Sequence, residues 1–147
     1  MSLALNTQWT QHNNRTYLVV GVIAPQDIES VATQTYLDIQ MPEGVRIRHI
    51  GKLTSDGRGR NIGVDVPDIA SGASQQIVFR VKSRQASDDP ITPELHLHWI
   101  DSASGDLMER HQTGTPLPIG EIEADEALTQ IVTEARSEHQ PTRREHR

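Results

Sequence analysis

Two histidines one residue apart, His96 and His98 in the run Glu94 to Ile100 (ELHLHWI), are the one part of this sequence whose spacing resembles a metal site. On a β-strand, side chains two positions apart point the same way, so both imidazoles can reach one zinc or copper ion. A tetrahedral site needs a third ligand, and His111, on the arm that follows the Asp101 to Asp106 turn, is the nearby candidate. The plainer reading makes these histidines the polar face of a strand whose other face is Leu95, Leu97 and Trp99. That reading is preferred, because nothing else in the chain has ligand spacing. No metal and no other cofactor is expected.

Three further clusters invite chemistry and point elsewhere. Asp101-Ser102-Ala103-Ser104-Gly105-Asp106 fails as an Asp-x-Ser-x-Ser site and as a calcium loop, since the third position is Ala103, the fifth is Gly105 and no bidentate glutamate closes a loop. It reads as turn chemistry. Ser55-Asp56-Gly57-Arg58-Gly59-Arg60 is basic and glycine-rich, but a phosphate cradle needs a helix N-terminus after it, and here a strand begins at Ile62. Arg58 and Arg60 remain able to touch an acidic partner. The acids Glu121, Glu123, Asp125 and Glu126 lie where a strand gives way to a helix, a place where negative charge meets the helix dipole favourably. There is no cysteine and no serine in a nucleophile elbow. No catalytic residue is assigned.

The elements that would position these residues are strands. The chain has 147 residues, 35% of them hydrophobic and 23% charged, which fits one globular domain with a tail. Aromatics are few (Trp9, Trp99, Tyr17, Tyr36 and Phe79), so Val, Ile and Leu must build the core. A formal net charge of -6 argues against nucleic acid, and the basic residues Arg143, Arg144 and Arg147 fall in the polar tail. No apolar run is long enough to span a membrane and no signal peptide is visible, which favours a cytoplasmic chain.

The dominant period is two. Leu3, Leu5, Thr7 and Trp9 alternate along a first strand; His12-Asn13-Asn14 turns; Arg15 to Ala24 is the most strand-prone run, ended by Pro25. Leu37, Ile39 and Met41 share a face against Asp38 and Gln40, and Val45 and Ile47 alternate with Arg46 and Arg48 after the Pro42-Glu43-Gly44 turn. Lys52 to Asn61 reads as a flexible hairpin or loop, and Pro67 to Ser74 as a turn. Between and after them come Ile62-Val64-Val66 and Ile77-Phe79-Val81, the latter opposed by Gln76, Val78, Arg80 and Lys82. Leu107 to Gln112 returns from the Asp101 to Asp106 hairpin. Seven to nine short strands at this spacing predict an all-β, immunoglobulin-like antiparallel β-sandwich. Ala127, Leu128, Ile131, Val132 and Ala135 then form the stripe of a short C-terminal amphipathic helix, with Asp125 as its cap. The expected division is a sandwich over residues 1–122, a helix over 123–137 and a disordered polar tail over 138–147.

The segments TYLDIQMPEGVRIRHIG, NIGVDVPDIASGASQQIVFRVK and ELHLHWIDSASGD, between Thr35 and Asp106, occur in an order that resembles bacterial immunoglobulin-like modules. More narrowly, the chain resembles the β-sandwich that accompanies von Willebrand factor type A domains. The resemblance implies an accessory sandwich followed by a helical segment, with Leu3 to Ala24 as the strand pair that would precede a type A domain. The short connection Pro25 to Thr33 would then mark where that domain belongs. The type A domain itself, with its metal site, has no counterpart here. The expected function is therefore a non-catalytic interaction or scaffold module with a protein partner, not an enzyme. Two alternatives stand beside it: a carbohydrate-binding or metal-binding sandwich using His96 and His98, and a homo-oligomer built through edge strands.

Overall fold

A computed structural model describes residues 2–26, 30–83, 90–118, 122 and 125–138. Its elements in chain order are β1 (Ala4–His12), β2 (Arg15–Ile23), β3 (Val31–Gln40), β4 (Val45–Ile50), β5 (Ser55–Arg58), β6 (Asn61–Val66), β7 (Ile69–Ala70), β8 (Ser74–Ser83), β9 (Glu94–Asp101), β10 (Leu107–Thr113) and α1 (Glu126–Glu138). One antiparallel sheet runs β1-β2-β8-β4; the other runs β10-β9-β3-β6-β5, with β7 pairing the start of β3. The first order fills the A-B-E-D places of an immunoglobulin-like sandwich, and β10-β9-β3 fills the G-F-C places. The strands β6 and β5 widen the second sheet beyond β3.

Ten strands are described where seven to nine are expected, and the two short ones account for the excess. β5 forms inside the glycine-rich stretch read as a hairpin or loop, because Ser55 to Arg58 find backbone partners on β6. β7 forms inside the stretch read as a turn: Ile69 is buried, and its burial draws Ile69–Ala70 against β3. Other turns follow their residues. Asn13 and Asn14 both take positive φ (51° and 62°), the pattern of a two-residue hairpin whose twist matches its strands. His12 and Arg15 pair directly across it.

The core lies between the sheets. Leu18, Val20 and Val22 of β2, Ile77, Phe79 and Val81 of β8, Leu37 and Ile39 of β3, and Leu95, Leu97 and Trp99 of β9 all face inward and are buried together. After β10 the chain crosses back to the first sheet. The Trp9 indole N–H donates to the Thr115 carbonyl at 2.7 Å, the Thr115 N–H donates to Thr7 Oγ1 at 2.7 Å, and the Gln112 amide donates to the Leu5 carbonyl at 3.1 Å.

The helix covers the outside of the first sheet. Leu128 and Val132 are buried against Tyr17, Val19, Ile50 and Val78, with Ile131 and Ala135 at the margin. Val78 thus points outward with Arg80 and Lys82, as its place in the alternation requires, yet is removed from water by the helix. Asp125 caps that helix, its carboxylate accepting from the Leu128 N–H at 3.1 Å, and Glu126 sits in the first turn. The tail expected from residue 138 lies outside the described residues except for Glu138.

Two substitutions separate core from cover. Phe79 has no exposed surface, so Phe79→Asp buries an unpaired charge at a cost of several kcal/mol and is expected to unfold the domain in a thermal melt. Val132→Asp is expected to abolish the helical part of the far-UV dichroism while leaving a cooperative, lower-melting β-sheet transition. Simultaneous loss of both signals would mean that helix and sandwich fold as one unit.

Candidate functional site

The outward face of the second sheet carries a band of rings that crosses four strands. On the β9–β10 hairpin, His96 pairs directly with His111 and His98 with Glu109. The His96 and His111 rings are stacked, with centroids 3.9 Å apart and planes inclined by 14°. His96 Nε2 lies 3.8 Å from Glu109 Oε1 along the diagonal. This nitrogen has no accessible surface and no hydrogen-bond partner, although about a third of the side chain as a whole is exposed. The ligand atoms of His96, Glu109 and His111 all lie within 4.8 Å of one another.

His98 turns the other way. Its ring meets His96 edge-on at 5.7 Å and stacks on Tyr36 at 5.4 Å. Tyr36 owes its outward position to an irregularity in β3. Thr33 pairs Ile100 and Tyr36 pairs His98, so β3 spends one residue more than β9 between those pairs. Gln34 takes φ 49° at that point. The bulge reverses the alternation: Ala32 and Thr35 are both buried, and Tyr36 faces out where an unbroken strand would turn it in. The phenol then crosses β6 at Gly63, where a Cβ would stand 1.8 Å from the Tyr36 oxygen. Beyond it the hydroxyl donates to Asp56 Oδ1 at 2.5 Å. The hydrogen bond to Asp56, then burial, then the negative charges of Asp56, Asp38 and Asp65 hold the phenol protonated well above the ordinary tyrosine range.

Part of the outward face of the first sheet is basic. Arg46 pairs directly with Lys82, and Arg48 with Arg80. Arg80 is pulled below the ordinary arginine value by burial first and then by the charges of Arg15 and Arg48, with Arg136 of α1 adding to them. Like charges directly opposite on neighbouring strands are unfavourable by about 0.2–1 kcal/mol. Arg46 and Lys82 form such a pair in a chain whose net charge is -6.

The residues singled out by sequence divide accordingly. His96 and His98 do share a face, but the cluster of ligand atoms joins His96 to His111 and Glu109 and leaves His98 with Tyr36. Asp101 acts in turn chemistry: its carboxylate accepts from the Ser30 hydroxyl and from the Ala103 N–H. Arg60 is exposed in the β5–β6 turn, with β6 and no helix after it; the Arg58 side chain lies outside what is described. Glu121, Glu123, Arg143, Arg144 and Arg147 also lie outside the described residues. Trp9, Trp99 and Tyr17 are buried, leaving Tyr36 as the aromatic ring with an open edge, which is little surface for stacking a sugar.

Glu109, Tyr36 with Asp56, and the paired cations went unread in the sequence. A signal for Glu109 existed, since closing the hairpin at Asp101 and Asp106 sets Ile100 opposite Leu107 and every pair behind it. The cations had none, because β4 and β8 are joined only through the sheet.

No protein-family model matches the chain, and none of the curated proteins matches it in sequence. Among solved structures it is similar to the GAE domain of yeast GGA1, with a TM-score of 0.55 and 17% identity over 79% of this chain and 91% of that one. It is also similar to the full-length major pilin SpaD of Corynebacterium diphtheriae (TM-score 0.56, 10% identity, 79% of this chain and 35% of the pilin). Domains D2 and D3 of that pilin give a TM-score of 0.52 at 8% identity over 76% of this chain and 50% of the pair. The chain therefore spans about a third of the whole pilin and half of its two-domain piece. At these identities the likeness is one of fold.

A phenol whose folded-state pKa is raised above the unfolded value of about 10 supports the fold fully below that pH, and the support drains away as pH climbs toward the raised value. Wild-type melting temperature is thus expected to fall more steeply above pH ~10 than that of Tyr36→Phe. Parallel alkaline profiles for the two proteins would show that the Tyr36–Asp56 bond carries no stability.

Proposed function

We propose that this chain is a non-catalytic interaction module, an immunoglobulin-like sandwich that presents the basic part of its first sheet to an acidic protein segment. The observation that carries the reading is the like-charged pairing of Arg46 with Lys82, beside Arg80, whose charge is further opposed by Arg15 and Arg136. An arrangement that costs the isolated fold stability gains its return when a negative partner is docked. Among the described residues no helix is long and apolar enough to cross a membrane.

The finer reading is an accessory sandwich of the kind that accompanies von Willebrand factor type A domains. It is supported by the place of the β2–β3 connection. β2 leaves the first sheet at Ile23 and β3 enters the second at Val31, so a domain inserted between them would leave both sheets whole. It is supported also by α1, which follows the last strand; the division into a sandwich over 1–122 and a helical segment from 123 is part of the same reading. Self-association is a second reading, favoured by one observation: Leu107, at the start of edge strand β10, is 65% exposed. Light scattering of wild type against Leu107→Glu decides it, since only an edge-paired oligomer loses mass on that change.

The direct test uses a glutamate-rich decapeptide as probe. Arg46→Gln with Lys82→Gln is expected to weaken its binding at least ~tenfold, equivalent to about 1.4 kcal/mol. The same pair of changes is expected to raise stability to urea by a few tenths of a kcal/mol, because a like-charge pair is removed. Undiminished peptide binding by the double variant would overturn the proposal, as would a loss of stability.

A further inference from the structure

The hairpin β9–β10 holds a second set of groups that the basic face does not involve, on the opposite side of the sandwich. His96 and His111 stand directly opposite each other, and Glu109 approaches His96 along the diagonal. Two imidazoles and a carboxylate are a borderline donor set that suits zinc, with one coordination position left for water. We propose that His96, His111 and Glu109 form a binding site for a divalent transition-metal ion of the zinc class.

Geometry puts the site within small side-chain movements. Tetrahedral bonds of about 2.0–2.2 Å place donor atoms roughly 3.3–3.6 Å apart. The present His96 Nε2 to Glu109 Oε1 separation is 3.8 Å, and all three donors fit within 4.8 Å. Closing the set requires the stacked rings of His96 and His111 to fan open. That motion turns on the torsion between Cβ and the ring, which is broad and cheap. The backbone need not move, because a direct cross-strand pair already brings the Cβ atoms to about 4.5–5.5 Å.

His96 supplies an independent reason. Its Nε2 is shielded from water and makes no hydrogen bond, held between the His111 ring and the Glu109 carboxylate. A metal ion at that point gives the nitrogen the partner it lacks. Glu109 and His111 are exposed, so the ion has an open path from solvent. His98 is excluded from the set, its ring being committed to Tyr36. The face is flat and open, and the inference is one of binding alone.

Calorimetric titration of the full chain with zinc chloride tests this, in a background of His139→Gln and His146→Gln that removes the tail imidazoles. One zinc per chain is expected. His111→Ala is expected to weaken it by more than ~100-fold, beyond the cost of losing a merely orienting partner. Glu109→Gln should weaken it as well, while His98→Ala should leave it within about twofold of the background protein. Imidazole NMR of the same samples should show zinc moving the His96 and His111 signals most. The metal-free melting temperature of each variant checks that its fold is intact. Absence of zinc binding overturns the proposal, as does equal binding by His111→Ala, or a loss in His98→Ala as large as in His111→Ala.

Discussion

Burial of one apolar layer between two sheets is the constraint on which everything else in this molecule depends. With no disulfide and few aromatic residues, the fold has to be stabilised by Val, Ile and Leu closed over Phe79 and Trp99. That requirement forces alternation on β2, β8, β9 and the part of β3 beyond its bulge, and alternation in turn hands the opposite side chains to the two outer faces. The outer faces are where the molecule differs from a generic sandwich. One is divided between a helix and a cluster of cations; the other carries a band of rings and carboxylates.

The two faces are served by different devices. On the first sheet, the helix removes Tyr17, Val19 and Val78 from water, and the sheet left uncovered beside it is the part that pairs cation with cation. Apolar cover and exposed charge thus divide one surface. On the second sheet, the bulge at Gln34 shifts the phase of β3 so that Tyr36 emerges between His98 and Asp56. Gly63 supplies the clearance the phenol needs to cross β6. Losing either the bulge or that clearance would break the band in its middle, leaving the hairpin histidines without the ring that holds His98 aside.

Similarity to the GAE domain and to the pilin domains shows how widely such a frame is shared among chains with almost no sequence in common. A sandwich of this kind is specified by where apolar residues fall, and many sequences satisfy that. Whatever such a frame is used for is therefore to be looked for on its outer faces, which the frame leaves unconstrained. In this chain those faces hold a concentration of positive charge and a His-His-Glu cluster, each on its own sheet.

By itself the sequence determined the directions: which of Leu95 to Trp99 look inward, that Arg46, Arg48, Arg80 and Lys82 look outward, that Asn13-Asn14 turns and that Asp125 starts a helix. These are properties of single segments, set by a two-residue period, by φ preferences and by capping. Only the tertiary structure decided which outward residues meet. β4 and β8 are separated by three other strands in the chain, yet their pairing alone sets Arg46 against Lys82. The bulge in β3 reverses a face without any proline or glycine to announce it, because what stabilises it is the fit of β3 to both β6 and β9. The helix finds its seat on Tyr17, Val19, Ile50 and Val78 because three strands from distant parts of the chain build one apolar patch. Neighbourhood across a sheet is a property of register between remote strands, and a period within one strand carries no record of it.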